Sequence, residues 1–390
     1  MTTNDIFFSI IRSEIHGIES ASDIFEKLSF ESYGQLYTLS KNHDLAHIMA
    51  AYLSRKGMLK DDEISNKFNK QLMIAFYREA QKECTLEQLA VILEDARLTH
   101  IMLKGAVIRD LYPQAWMRTS CDIDILIKKE DVDLAIETLC KAGYSRTDDS
   151  STHDYSFMSP NNVHVELHYT LAQEGQLSRV DKMLESVWES YVTLDEGRSY
   201  RYSMTPEVFI LYHLAHMVRH LVYGGCGIRP IIDFWIIQNN MTFDNDKLKA
   251  MLEQTKLTKF YDVVAGLSSV WMDNAQHTEQ TKLLEGYILT GGVYGTTGNS
   301  AQIEAARGVG KVRSFFNLMF LPKSTLEVIY PNLRKHPYMF PFYQVKRWFR
   351  IFNRRKRSKI KHLTATRNNV SQTSVESAKL MLEYLGLSDQ

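Results

Sequence analysis

Apolar residues in the first quarter of the chain recur at a spacing of three to four, the period of an amphipathic helix. The segments EISNKFNKQLMIAFYREAQKE and LEQLAVILEDARL show this spacing clearly. The pattern predicts an N-terminal helical region over residues 1–95. From about residue 205 the spacing is again mostly helical, which predicts a C-terminal helical domain over residues 201–330.

Between the helical regions, short apolar runs alternate with helical ones. HIMLK is a strand candidate, and GAVIRDLYP predicts a helix that ends at Pro113. DIDILI predicts a buried strand, KEDVDLAIETLCKAG predicts a helix that ends at Gly143, and NVHVELHYTL alternates with the period of two typical of a strand. This order predicts an α/β unit over about residues 99–172, within a core domain assigned to residues 96–200.

The composition of the 390 residues excludes several classes of protein. An apolar fraction of 44% and a charged fraction of 24% are typical of a globular protein, and they argue against a disordered chain. The four cysteines form no CxxC pair, so neither a zinc knuckle nor a disulfide framework is indicated, and free thiols favour a cytoplasmic location. The apolar stretch 208–223 is interrupted by three histidines and an arginine, so we expect no transmembrane span.

The sequence Asp122-Ile123-Asp124 carries the strongest chemical signal. Alternate side chains of a strand share one face, so the two carboxylates point the same way, about 7 Å apart. Two carboxylates on one face repel each other unless a cation lies between them. Oxygen ligands at this spacing suit Mg²⁺, which prefers one or two carboxylates together with substrate phosphates.

A third carboxylate is available in the alternating segment VHVELH. Here His164, Glu166 and His168 share one face, and the valines and Leu167 share the other. If this strand lies beside DIDILI, Glu166 completes a cluster of three carboxylates. Three carboxylates around two divalent ions are typical of phosphoryl or nucleotidyl transfer.

Groups suited to a phosphate precede this cluster. Lys104 and Gly105 end a predicted strand and open a helix, where glycine lets the backbone approach a phosphate and the helix N-terminus supplies N–H donors. Arg118 lies four residues before Asp122 and is a candidate bidentate phosphate donor.

The run LKGAVIRDLYPQAWMRTSCDIDILIKKEDVDLAIETLCKAGY resembles the DNA polymerase β-like nucleotidyltransferase superfamily. It is most similar to a bacterial branch of uncharacterised nucleotidyltransferases with a KG…R…DIDLLV…GY signature. The resemblance extends through VHVELHYTL and PEVFILYHLAHMVRHL to IRPIIDF, and weakly to LRKHPYMFPFYQVKRWFRIF. It covers roughly residues 70–350.

The resemblance implies an α+β fold, in which a mixed-sheet nucleotidyltransferase core is flanked by N- and C-terminal helical regions. It implies that Asp122, Asp124 and Glu166 bind Mg²⁺ or Mn²⁺, with Glu166 a metal ligand or a general base. Lys104, Gly105 and Arg118 would position the triphosphate of an NTP. A nucleoside monophosphate would then pass to the hydroxyl of an acceptor, which is a small molecule, a protein or RNA.

Two features depart from the superfamily pattern. The turn reads Gly105-Ala106 instead of Gly-Ser or Gly-Gly, and the sixteen residues between Gly105 and Asp122 exceed the usual spacing. The alternative function is therefore a catalytically degenerate domain that binds a nucleotide, RNA or a protein partner without turnover.

Other motifs leave several interpretations open. His213, His216 and His220 fall on one face of a predicted helix, where they are metal ligands, substrate contacts or hydrogen-bonded core groups. Asp233 is either a support for the site or a helix-packing residue. The glycine-rich stretch 291–300 predicts a loop or a mobile lid.

The formal net charge of zero conceals a strong asymmetry. No acidic residue occurs from Val328 to Val375, whereas twelve Lys and Arg residues lie there, interleaved with aromatic residues. We therefore assign residues 331–390 to a basic aromatic tail. Its basic segment 334–361 is either solvated or a contact for an anionic partner, namely a nucleic acid or a membrane surface.

Overall fold

The structure, a computed structural model, describes residues 2–18, 30–147, 153–173, 177–292, 295–308, 319–323, 326–327, 330, 333, 336–351 and 371–388. Residues 334–335 and 352–361 of the predicted basic segment lie outside these ranges. So do residues 293–294 of the glycine-rich stretch.

Helices fill the chain before the sheet, as the sequence pattern predicts. They are α1 (Thr3–His16), α2 (Phe30–Asn42), α3 (Ala46–Arg55) and α4 (Glu63–Asp95). The side chain of Thr2 caps α1, and the Asp62 carboxylate caps α4 by accepting from two backbone N–H groups of its first turn. Helix α4 has 33 residues, and its C-terminal part packs against the sheet.

The core is a mixed sheet of seven strands with short helices between them. The strands are β1 (His100–Met102), β2 (Asp122–Ile127), β3 (Ser145–Arg146), β4 (Asp154–Met158), β5 (His164–His168), β6 (Val192–Leu194) and β7 (Arg201–Met204). Their order in the sheet is β3-β4-β5-β2-β1-β7-β6. Strand β2 runs antiparallel to β1 and parallel to β5. The predicted strands and their α+β class are confirmed.

Helix α5 (Gly105–Ile108) and a following 3₁₀ turn occupy the predicted GAVIRDLYP helix, which ends before Pro113. Helix α6 (Val132–Lys141) occupies the next predicted helix, and Gly143 follows it with a positive φ of 89°. The pattern did not predict β3, β4, β6 and β7, because these strands span only two to five residues, too few for a clear alternation of apolar and polar positions.

The two faces of β2 have opposite chemistry. Ile123, Ile125 and Ile127 form a fully buried cluster with apolar residues of α4, α6 and β5. Leu126, on the opposite face, joins the larger apolar core, which includes most of the helices after the sheet. Asp122 and Asp124 share the face of Leu126, so they lie between the sheet and those helices.

Helices α7 (Ser178–Glu185) and α8 (Val187–Ser190) lie between β5 and β6. The described helices that follow β7 are α9 (Pro206–Val222), α10 (Ile228–Asn240), α11 (Asn245–Thr255), α12 (Thr258–Asp273), α13 (Glu279–Gly291), α14 (Thr297–Ala306), α15 (Phe340–Ile351) and α16 (Gln372–Tyr384). Apolar residues of both helical regions share the large core, in which the Phe8 ring stacks on Trp271 at a centroid distance of 4.6 Å. The predicted domain boundaries stay predictions. None of the described helices is long and apolar enough to cross a bilayer.

Candidate functional site

Polar side chains line one face of the sheet where β2 and β5 lie side by side. Because these strands are parallel and adjacent, each residue of the DID motif has a fixed neighbour. The register pairs Asp122 with His164, Asp124 with Glu166 and Leu126 with His168. The condition set by the sequence analysis, that the Glu166 strand lies beside the DID strand, is met.

Asp124 is the most buried carboxylate of this face, with 2% of its surface exposed. Its Oδ1 accepts from Nζ of Lys104 at 2.7 Å and from Nε2 of His168 at 2.9 Å. Burial opposes ionisation of Asp124, but the Lys104 charge and the His168 hydrogen bond outweigh it and hold the pKa of the carboxyl well below its usual range. Asp124 is therefore an anion that already has two cationic donors.

Glu166 and His168 complete a compact donor set around Asp124. A carboxylate oxygen of Asp124, one of Glu166 and a ring nitrogen of His168 all lie within 4.8 Å of one another. Burial of His168 opposes its charging, but hydrogen bonds to Asp124 and Glu166 raise the pKa of the imidazole to about 9. Two oxygens and one nitrogen fit a divalent ion such as Mn²⁺, and the two carboxylates fit Mg²⁺. Asp122 lies two residues earlier on the same face and is half-buried.

The turn at Gly105 forms a tight polar cradle. Lys104 has a φ of 44°, a conformation that costs a non-glycine residue free energy and that recurs at functional sites. A Cβ atom on Gly105 would lie 3.0 Å from Oγ of Ser120 and 3.1 Å from Nη1 of Arg118. Only glycine avoids this close approach to Ser120 and Arg118 at the turn.

Arg118 is almost fully buried, and most of its guanidinium contacts Asp233. Its Nε lies 3.1 Å from both carboxylate oxygens of Asp233, and its Nη2 donates to Oδ2 at 2.8 Å. The Arg118 charge overcomes burial and lowers the pKa of the Asp233 carboxyl. Nη1, which donates to the carbonyl oxygen of Thr119 at 3.1 Å, is the group that faces Gly105. Asp233 therefore fixes the position of Arg118, which the sequence analysis predicts to contact the triphosphate.

Lys82 of α4 adds a cation to the same cradle. The sequence analysis did not assign this residue to the site. Its surface is 2% exposed, and Nζ donates to Oγ of Ser120. Burial, together with the nearby Arg118 charge, lowers the pKa of the Lys82 ammonium to about 8. Glu79 and Asp122 oppose this lowering, but none of the ion pairs among the described residues joins Lys82 to a carboxylate. A buried cation in this setting is suited to an incoming anion.

Helix α9 carries the three predicted histidines to different places. Nε2 of His213 lies 2.8 Å from the carbonyl oxygen of Pro230, a contact within the core. His216 and His220 lie with their Nε2 atoms 3.0 Å apart. Burial and the nearby Lys104 charge lower the pKa of both imidazoles. The two rings are therefore neutral groups near the Lys104–Asp124 pair. His213 is thus a core residue, and His216 and His220 border the site.

A cleft of about 1370 Å³ opens beside the site. His153 lines it and stacks on His168 at a centroid distance of 5.7 Å, so the cleft begins next to the donor set. Tyr155, Tyr169 and Trp188 supply aromatic walls farther out. A cleft with these dimensions is large enough for a small organic molecule.

The site residues that the sequence did not assign include His168, Lys82, Ser120 and His153. His168 carried a usable signal, because it shares the strand face of Glu166 and follows it by two residues. Lys82 carried none, because its place in the helical pattern is that of an ordinary surface lysine. Only the packing of α4 beneath the Gly105 turn brings it to Ser120.

A mixed sheet that places paired carboxylates beside a glycine turn defines a nucleotidyltransferase-like α+β protein. Residues 31–273 match the model of a family described as uncharacterised nucleotidyltransferase, and the chain belongs to this family. No curated protein and no solved structure matches the chain.

Proposed function

We propose that the protein transfers a nucleoside monophosphate from an NTP to an acceptor hydroxyl, with Mg²⁺ or Mn²⁺ as the metal. Membership of the nucleotidyltransferase family supports the general chemistry. The observation that carries the specific proposal is the parallel register of β2 and β5, which sets Asp124 opposite Glu166 on the face that also carries Asp122. The acceptor is a small molecule, a protein or RNA.

Each proposed group has a distinct task. Asp122, Asp124 and Glu166 would hold the divalent ion, which when bound supplies positive charge to the triphosphate and the leaving pyrophosphate. Glu166 would serve either as a ligand of that ion or as the general base for the acceptor hydroxyl, since its side chain is 26% exposed against 3% for Asp124.

The triphosphate would lie against the Gly105 cradle. Arg118 Nη1 lies beside Gly105 and would donate to a phosphate oxygen at the turn, and Ser120 Oγ, which already donates to the carbonyl oxygen of Asp122, lies next to it. Lys104 contributes a further positive charge at the edge of the same turn. These residues bind and orient the donor, and the cleft beyond His153 is the proposed acceptor subsite.

The test is pyrophosphate release from the full chain, supplied with each labelled NTP, Mg²⁺ or Mn²⁺ and fractions of small molecules, protein or RNA. Asp124→Asn keeps the shape of the side chain but removes its charge, so we expect a loss of at least about 100-fold in rate. Asp110→Asn is the matched control, because that side chain is 74% exposed and lies outside the site. An Asp124→Asn rate equal to the wild-type rate would sink the proposal.

A second candidate function is nucleotide binding without turnover. It is favoured by the two contacts that already occupy Oδ1 of Asp124, from Lys104 and His168. Equilibrium binding separates the two functions. A wild-type chain that binds metal–NTP but releases no pyrophosphate with any acceptor fraction would establish the binding function and exclude the transferase.

A further inference from the structure

Helix α15 (Phe340–Ile351) presents two apolar faces, and only one of them is packed. On the inner face, the Tyr343 ring stacks on Tyr330 at a centroid distance of 4.7 Å. Nε2 of Gln344 and Nε1 of Trp348 each donate at 2.6 Å to backbone carbonyls of residues 321 and 319. These contacts fix the rotation of the helix about its axis.

The outer face is an aromatic ridge, defined here as Tyr338, Phe342, Val345 and Phe349. Their exposed fractions are 76%, 56%, 41% and 77%. Spacings of three and four residues place the side chains of a helix in one line, and Tyr338 extends that line on the preceding 3₁₀ turn. A contiguous exposed ridge of large apolar side chains indicates an interaction surface.

In the sequence, the segment that contains the aromatic ridge carries charge of one sign only. No Asp or Glu occurs from Val328 to Val375, and twelve of the 46 Lys and Arg residues of the chain lie in that interval. Lys346 follows Val345 and is exposed, although its Nζ lies 5.5 Å from the ring centroid of Tyr330, toward the packed side of the helix. The complementary partner of this surface is therefore anionic.

We propose that the aromatic ridge binds an anionic lipid surface, with α15 lying in the plane of the interface. Phe342, Val345 and Phe349 enter the boundary between headgroups and acyl chains, and the flanking cations contact the headgroups. A single-stranded nucleic acid fits the ridge less well, because bases stack on aromatic faces and Val345 has none.

This inference does not rest on the proposed function. The ridge lies outside residues 31–273, the part of the chain that matches the family. Failure of nucleotidyl transfer would therefore leave the lipid-binding inference intact, and the reverse also holds.

The experiment is co-sedimentation of the full chain with vesicles of phosphatidylcholine alone and of phosphatidylcholine mixed with phosphatidylglycerol. We expect binding to the anionic vesicles, little binding to the neutral ones, and weakening as salt is added. The double variant Phe342→Ser/Phe349→Ser should lower the partition coefficient about tenfold or more, because two apolar rings no longer leave water. Lys346→Gln should lower it by a smaller factor that vanishes at high salt.

The matched control is Met73→Ser/Tyr77→Ser, which removes two residues of α4 that are 58% and 65% exposed. It should bind anionic vesicles like the wild type. Equal binding by the Phe342/Phe349 variant, equal binding to neutral vesicles, or no vesicle binding would each overturn the inference. Phe-dependent binding of a single-stranded RNA oligonucleotide without vesicle binding would assign the ridge to nucleic acid instead, and Phe-dependent self-association in light scattering would assign it to a second copy.

Discussion

Arg118 and Asp233 form a buried, doubly hydrogen-bonded ion pair across 115 positions of the sequence. The pair joins the segment before β2 to helix α10, and the hydroxyl of Tyr112 donates to the same carboxylate at 2.7 Å. It leaves one guanidinium nitrogen, Nη1, directed at the Gly105 turn. Asp233 thus sets the position of Arg118, the proposed hydrogen-bond donor to the phosphate.

Arg118→Met should destabilise the fold by about 3–5 kcal/mol, because it leaves the Asp233 carboxylate buried without its cation. The measurement is the free energy of unfolding from a urea titration. Lys141→Met is the control, since its ion pair with Glu137 is 74% and 61% exposed and should change the free energy by less than about 1 kcal/mol. Equal effects of the two substitutions would contradict this account.

Gly105→Ala should impair nucleotide binding more than its size suggests. The added methyl would lie 3.0 Å from Ser120 Oγ and 3.1 Å from Arg118 Nη1, so it fills the proposed phosphate cradle. We expect a rise of about tenfold in the Kd for NTP and a cost of about 1–3 kcal/mol in stability. Gly286→Ala, which meets no atom within 4 Å, should instead stabilise α13 by about 0.5–1 kcal/mol.

Lys82→Met should raise stability at neutral pH while weakening NTP binding. The pKa of Lys82 falls from 10.5 to about 8 in the fold, so the unfolded chain holds a proton that the folded chain releases between these values. Wild-type stability should therefore rise from pH 8 to 10.5 by up to about 3 kcal/mol, and the variant should lack this rise. Urea titrations across that window test it. If the exposed Lys70→Met on the same helix shows the same change, Lys82 is not the source.

Acid should destabilise the protein through His43, whose surface is 1% exposed. Burial lowers the pKa of its imidazole from 6.5 to about 4, so the unfolded chain takes up a proton in that window and the folded chain does not. The free energy of unfolding should fall by up to about 3 kcal/mol as the pH drops from 6.5 to 4. His43→Gln should flatten this decline, whereas the exposed His336→Gln should leave it unchanged. An unaltered decline in His43→Gln would refute the assignment.

Part of the site could be predicted because its signals are local. Alternation in DIDILI and VHVELH fixed which side chains share a face, and the apolar positions fixed which face is buried. The adjacency of the two strands was predicted only as a condition. Nothing local distinguishes β5 from β4 as the neighbour of β2, since strand order depends on long-range packing.

The unassigned strands show the same limit. Strands β6 and β7 are three and four residues long, too short for an alternating pattern to distinguish them from a loop. They become strands because β1 offers an unpaired edge, along which β7 forms a parallel ladder. Backbone pairing, and not side-chain periodicity, decides such elements.

The sequence by itself determined the class of fold, the carboxylate motif, the glycine turn and the basic character of the C-terminal segment. Each of these depends on residues a few positions apart, whose geometry a helix or strand dictates. Tertiary structure alone decided that Asp124 meets Lys104 and His168, that Arg118 is held by Asp233, and that Lys82 lies beside Ser120 under the Gly105 turn. These contacts join separate elements, and their positions follow from how the apolar faces pack together.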